Sequence, residues 1–289
     1  MISDLSARNQ LLEFSVIGKD RKGIVSEITS YVFQNKGNIE QISQNVASGW
    51  FMMHLEASFP RESFQKERFE TDLLRLSKLL NLEIKIHYQN KEKKRMAVFV
   101  TKEDHCLRSI LETWKQNRLK LEIPVIISSR KDLEPTAAEY GIPFYKINFS
   151  DPQKREKAIT ALLEKKNIDF IVLARYMKIL SPSFVWRYPN RIINVHPSLL
   201  PAFPGAFAYT QAYERGVKLV GCSVHFVTPD LDQGPIICQD AFRVHPKDTL
   251  KTIRSKGQKL EAKLLLKGIN LFLEGKLEVY WGKVGLKTQ

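Results

Sequence analysis

Asn194 and His196 stand two residues apart in Ile193-Asn194-Val195-His196-Pro197, and side chains at i and i+2 of a strand point to the same face. The segment therefore presents an amide and an imidazole side by side, and Pro197 ends the strand directly after them. A polar pair closing an apolar strand is costly to bury without partners, so it is either a satisfied structural pair or part of a site. More polar groups follow in Val224-His225-Phe226-Val227-Thr228-Pro229-Asp230-Leu231-Asp232-Gln233-Gly234-Pro235. There a strand carrying His225 runs into a turn with two aspartates, and loops beyond strand ends are favoured places for reactive groups. Asp230 suits turn initiation through its own side chain; Asp232, held ahead of Gly234-Pro235, has the stronger functional claim. Together Asn194, His196 and Asp232 offer an amide donor for an oxyanion, an imidazole acid or base, and a carboxylate to orient or ionise it. That is acyl-type chemistry without a nucleophilic side chain. No Gly-x-Ser-x-Gly elbow occurs. Cys106 beside His105 is a weak nucleophile candidate, because adjacent residues on a helix do not face each other. A zinc ion on His196, His225 and Asp232 is chemically admissible, but a hydrogen-bonding role suits His225 better, and no metal is expected.

These groups need a rigid frame, and residues 91–289 read as one. Apolar strands at 96–100, 124–128, 144–147, 170–174 and 192–196 alternate with helical patterns at about 104–116, 135–140 and 152–166. Asp104 suits the N-cap of the first helix. Such alternation predicts a mostly parallel, Rossmann-like α/β sheet, whose ligands sit at the carboxyl edge of the strands. Beyond Asn194 the pattern becomes hairpin-like, with strands at 221–227 and 236–242 around the 228–235 turn, and a long helix follows at 250–273.

Residues 1–90 have another rhythm. A strand at 12–17, a turn at 18–23, a helix at about 24–36, strands at 38–47 and 51–59 around Ser48-Gly49, a helix at about 61–80 and a strand at 82–87 give βαββαβ, the ferredoxin-like order. Gly37-Asn38 closes the first helix, since both residues tolerate the left-handed conformation. The charged run Gln89-Asn90-Lys91-Glu92-Lys93-Lys94-Arg95 sets the boundary between domains at 1–90 and 91–289.

A chain of 289 residues suits two domains. With 43% hydrophobic and 26% charged residues, it is not a disordered chain. No apolar run approaches the ~18–20 residues that span a bilayer, and the first ten residues lack the apolar core of a signal peptide. Cys106, Cys222 and Cys238 fit neither a disulfide framework nor a zinc ribbon, so a cytoplasmic, reducing location is expected. The net charge is +14, yet residues 1–90 carry 11 basic and 11 acidic side chains, so the whole excess lies beyond them. Without an aromatic-interleaved basic stripe this reads as a solvated basic surface or an attraction for an anionic small molecule. Neither a nucleic-acid nor a membrane partner is expected.

Asp20-Arg21-Lys22-Gly23-Ile24-Val25, Gly37-Asn38-Ile39 and Phe51-Met52-Met53 together resemble the ACT domain, a small regulatory module. Gly23 would let a helix N-terminus approach a ligand carboxylate with free N–H groups, or it serves only the tight turn. The resemblance implies an amino-acid effector, methionine or glycine, bound at Asp20, Gly23 and Asn38, and pairing with copies of the same chain. Asn194-Val195-His196-Pro197-Ser198-Leu199-Leu200-Pro201, with Gly221-Cys222-Ser223-Val224-His225-Phe226-Val227 and Leu231-Asp232-Gln233-Gly234-Pro235, resemble the folate-dependent formyltransferases.

Taken whole, the ACT-like and formyltransferase-like halves resemble the formyltetrahydrofolate deformylase family, as do Leu173-Ala174-Arg175-Tyr176-Met177-Lys178-Ile179-Leu180-Ser181-Pro182 and Gln211-Ala212-Tyr213-Glu214-Arg215-Gly216. That resemblance implies hydrolysis of 10-formyltetrahydrofolate to formate and tetrahydrofolate, with formate feeding purine synthesis and no cofactor besides the folate substrate. It implies Asn194, His196 and Asp232 as the catalytic group, and a pteridine pocket lined by Met177, Lys178, Ile179, Leu180, Thr228 and Asp230. Three positions depart from the family pattern: Pro197 where a second His is usual, Gln233 where a Glu is usual, and Trp50 where an Arg is common. A formyltransferase acting on an amine, or an idle amino-acid sensor, are the competing readings. Against the former, Val100-Thr101-Lys102-Glu103-Asp104-His105-Cys106-Leu107 contains no glycine to cradle a phosphate.

Overall fold

The computed structural model describes residues 9–47, 49–88, 93–280 and 282–286. The chain divides into two units, Met1–Glu92 with Trp186–Pro189, and Lys93–Val185 with Asn190–Gln289. Ser48 of the expected hairpin and residues 89–92 of the charged run lie outside the described residues.

In the first unit β1 (Asn9–Lys19) lies between β3 (Trp50–Pro60) and β4 (Leu82–Tyr88), and β2 (Asn38–Ala47) forms the far edge, all antiparallel in the order β2-β3-β1-β4. The alternating Leu12, Phe14 and Val16 enter the core, as the period of two requires. Helix α1 (Ile24–Gln34) adds Ile24, Ile28 and Val32 at four-residue spacing, and α2 (Lys66–Leu80) adds Phe69 and Leu73. The order is βαββαβ, as the pattern predicts, with two local differences. Helix α2 begins at Lys66 instead of about residue 61, because Ser63 N bonds back to Pro60 O and makes a turn there. The left-handed residue closing α1 is Lys36, at φ 60°. Gly37 is needed for a different reason: a Cβ there would stand 2.5 Å from the Phe59 ring.

The second unit holds a seven-stranded sheet. Its strands are β5 (Lys94–Val100), β6 (Leu121–Ser128), β7 (Phe144–Lys146), β8 (Phe170–Leu173), β9 (Ile192–His196), β10 (Leu219–Phe226) and β11 (Ile236–Arg243). The helices are α3 (His105–Lys115), α4 (Glu134–Glu139), α5 (Pro152–Lys165), α6 (Pro182–Val185), α7 (Ala208–Glu214) and α8 (Leu250–Leu273). The order is β11-β10-β9-β8-β5-β6-β7, parallel from β5 through β9, with β10 and β11 antiparallel. The strand order reverses between β5 and β8, the place where open α/β sheets hold ligands at their carboxyl ends. Val98, Val172, Val195 and Val224 pack with Leu264, Leu265 and Ile269 of α8 in one core. That helix starts on a capping box of Thr249 and Thr252. A short terminal hairpin, β12 (Leu277–Tyr280) and β13 (Lys283–Leu286), is unforeseen by the sequence pattern. Among the described residues no helix is long and apolar enough to cross a membrane.

Candidate active site

Asn194 and His196 end β9 on one face, and the antiparallel register of β10 sets His225 opposite Asn194 and Ser223 opposite His196. The His225 Nδ1 lies 2.8 Å from the Phe226 carbonyl oxygen. A carbonyl only accepts, so Nδ1 carries the proton and Nε2 is left to accept from Asn194 Nδ2 at 3.1 Å. Burial holds the His225 imidazole below its ordinary value, against the Phe226 hydrogen bond and the Asp232 charge, with His196 adding to the depression. A neutral His225 thus fixes which way the Asn194 amide points. This is the hydrogen-bonding role expected for it.

His196 is engaged at both ring nitrogens. Nε2 donates to the Phe203 carbonyl at 2.9 Å, and Nδ1 lies 3.3 Å from Asp232 Oδ2. A carbonyl only accepts, so Nε2 carries a proton, and Nδ1 is the ring nitrogen that faces the Asp232 carboxylate. The same Oδ2 accepts from the Gly205 N–H at 2.8 Å. Oδ1 stands 3.8 Å from His225 Nε2, beyond a hydrogen bond, and a neutral His225 forms no ion pair with it. The Asp232 side chain is only 7% exposed, and its backbone is left-handed at φ 54°, a conformation Asp tolerates. The turn can return this tightly because Gly234 lacks a side chain: a Cβ there would stand 1.7 Å from Phe226 O.

Supporting groups invisible as a motif complete the corner. The fully buried Ser223 donates to Ser198 O at 2.7 Å and accepts from Leu200 N at 2.9 Å, while Gln239 Nε2 bonds Leu200 O and Ser223 Oγ. These bonds hold the buried Pro197 turn that follows His196.

Of the remaining residues singled out by sequence, Met177, Lys178 and Ile179 are exposed and Leu180 is buried. They leave the carboxyl end of β8, the neighbour of β9, so they rise from the same edge as His196. Met177 N bonds Thr101 Oγ1 at 2.9 Å and Ser181 N bonds Glu156 at 2.7 Å, tethering this loop on both sides. The Thr228 hydroxyl closes its turn onto the Asp230 carbonyl at 3.2 Å, and the Asp230 side chain is exposed. Cys106 and His105, adjacent at the start of α3, both border Glu261 of α8, with ligand atoms of all three within 4.8 Å. Arg175 lies 3.5 Å from the same carboxylate, and its positive charge opposes a cation there. Burial, then the Glu261 charge, holds the Cys106 thiol well above its usual value, so it is no nucleophile at neutral pH.

In the first unit Asp20, Arg21, Gly23, Ile24, Gln44 and Phe51 help line an open cavity of about 530 Å³. Gly23 has φ 91° ahead of α1, so its conformation serves the turn and also bares the helix start. Asn38 is not among the cavity's lining residues; its amide bonds Glu40 at 2.9 Å. Trp50 carries Lys19 Nζ over its ring at 4.6 Å.

Residues 94–269, which carry the sheet and its Asn194, His196 and Asp232, match the formyl transferase family, and residues 10–87 match the ACT domain, so the second unit is a formyl transferase-type domain. The chain is 39% identical to the formyltetrahydrofolate deformylase of Synechocystis, over 90% of this chain and 93% of that one. It is similar to the crystal structure of the deformylase from Pseudomonas syringae pv. tomato, with TM-score 0.66, 31% identity, and 97% and 95% of the two chains covered. The glycinamide ribonucleotide transformylase 1 of Symbiobacterium toebii matches with TM-score 0.64 and 34% identity, over 68% of this chain and 95% of that one. Only the deformylases among these three share the ACT half as well. The chain belongs to the formyltetrahydrofolate deformylase family.

Proposed function

We propose that the protein hydrolyses 10-formyltetrahydrofolate to formate and tetrahydrofolate. Water adds to the formyl carbon and loses a proton toward Asp232. The oxyanion is met by the Asn194 amide, aimed by His225, and by the His196 Nε2–H, for which the Phe203 carbonyl competes in the free protein. Cleavage of the C–N bond then sends a proton to N10 through His196, giving formate and tetrahydrofolate. Met177, Lys178, Ile179 and Leu180, with Thr228 and Asp230, bind the pteridine side, where exposed apolar groups suit a flat heterocycle.

One observation carries hydrolysis over transfer to a phosphorylated amine. The segment after β5 offers carboxylates and not a nest of backbone donors: Glu103 bonds Gln258 at 2.8 Å, Asp104 pairs with Arg108, and His105 is tied to Glu261. A phosphate has no cradle there, and water remains as the acceptor. The ACT half binds a small amino acid, methionine or glycine, at the cavity beside Gly23 and joins copies of the chain in a homo-oligomer. The enzyme works in the cytoplasm, requires no cofactor and supplies formate for purine synthesis.

Incubation with 10-formyltetrahydrofolate, with and without glycinamide ribonucleotide, tests the reading. Formate release at the same rate in both is expected. Formylated ribonucleotide as the main product would establish a transferase, and no turnover in either would leave a sensor.

A further inference from the structure

Glu261 is a carboxylate with no solvent exposure in the middle of α8. Well-packed apolar residues commonly stabilise a fold as much as a buried ionic network does, so packing alone does not account for it. Its partners come from three elements around the carboxyl edge. His105 Nε2 donates from the start of α3 at 3.3 Å, Arg175 lies at 3.5 Å in the loop after β8, and the Tyr209 hydroxyl donates from α7 at 2.5 Å. Burial pushes the Glu261 carboxyl up, and the hydrogen bond from His105 with the Arg175 charge outweighs it, leaving the group below its ordinary value. The Tyr209 ring reaches this carboxylate by lying across Gly257, one turn earlier on α8, where a Cβ would stand 2.2 Å from the Tyr209 hydroxyl.

Two of these partners begin or follow the segments that form the active site. Arg175, left-handed at φ 63°, opens the loop that presents Met177 and Ile179. Tyr209 lies in the first turn of α7, directly after the segment whose Phe203 carbonyl holds His196 and whose Gly205 N–H holds Asp232. That segment has φ of 51°, 80° and 64° at Phe203, Gly205 and Phe207. Non-glycine residues in this region persist only where their surroundings fix them. We propose that Glu261 is a positioning residue for deformylation, holding the folate-side loop through Arg175 and the catalytic segment through Tyr209 from one buried carboxylate. This rests on the hydrolase reading above.

The two arms make separable predictions, because a misplaced binding loop raises KM while a misplaced catalytic group lowers kcat, and a displacement near 1 Å costs up to ~10²-fold. Formate release by the full chain is measured for wild type, Tyr209→Phe, Arg175→Gln and Glu261→Gln, with a thermal melt of each. Tyr209→Phe is expected to lower kcat about tenfold with KM nearly unchanged, and Arg175→Gln to raise KM about tenfold with kcat nearly unchanged. Glu261→Gln is expected to do both. If Glu261→Gln does not fold, the two single-arm variants decide alone. Wild-type constants in either single-arm variant, or the same constant shifted by both, would overturn the proposal while leaving the hydrolase reading intact. A wild-type protein that releases no formate would overturn both.

Discussion

Replacing Gly234 by Ala adds one methyl group at the tightest point of the active-site turn. The new Cβ would stand 1.7 Å from the Phe226 carbonyl oxygen and 3.3 Å from His225 Nδ1. Carbon and a backbone oxygen do not approach within about 3 Å in a close-packed interior, so the turn must retreat by roughly 1.3 Å. The oxygen being struck is the one that accepts from His225 Nδ1 and fixes that ring's tautomer. Its displacement therefore frees the Asn194 amide as well as shifting Asp232, two residues upstream of the methyl. A misplacement of this size costs about 10²-fold in rate, and overpacking typically costs ~1–3 kcal/mol of stability. Steady-state formate release and thermal unfolding of Gly234→Ala read the two effects separately. A folded Gly234→Ala variant with wild-type kcat would refute the claim that the Gly234–Phe226 approach sets the catalytic geometry.

Asp232→Asn keeps the volume but removes the basic carboxylate that faces His196, so turnover should fall ~10²–10⁴-fold while tetrahydrofolate binding, read by titration, survives; activity within a few-fold of wild type would remove Asp232 from the mechanism. His225 is held neutral mainly by burial. The unfolded chain therefore takes up a proton that the folded chain refuses as pH falls below about 6.5. Stability should decline through that range for wild type and decline less for His225→Gln, as read by denaturation midpoints against pH. For the ACT half, Gly23→Val places a β-branched residue at φ 91° and should abolish methionine or glycine binding measured by calorimetry on the full chain; unchanged binding would move the effector site elsewhere.

The parts of the site visible in sequence are those in which type and spacing already imply geometry. Asn194 and His196 share a face because a strand repeats every two residues, and Gly234 next to Pro235 announces a constrained turn after Asp232. The sheet and both domain patterns follow from the same periodicities, with errors where a turn competes at a helix end, as at Ser63, or where strands are too short to show a period, as in β12 and β13. A different kind of information was needed for Glu261. It lies on α8 at helical spacing from Gly257 and Leu265, among residues that read as an ordinary amphipathic stripe. What marks it is the convergence of partners 156, 86 and 52 residues away in sequence, and no local pattern encodes that. The backbone acceptors and donors at Phe203, Gly205 and Phe226 are equally silent, since every residue type carries them. The proposed chemistry is thus legible as three side chains, whereas the contacts proposed to orient them come from carbonyls, amide groups and one buried carboxylate that only the folded chain brings together. Variants that test orientation should therefore change the supporting contacts and leave Asn194, His196 and Asp232 in place.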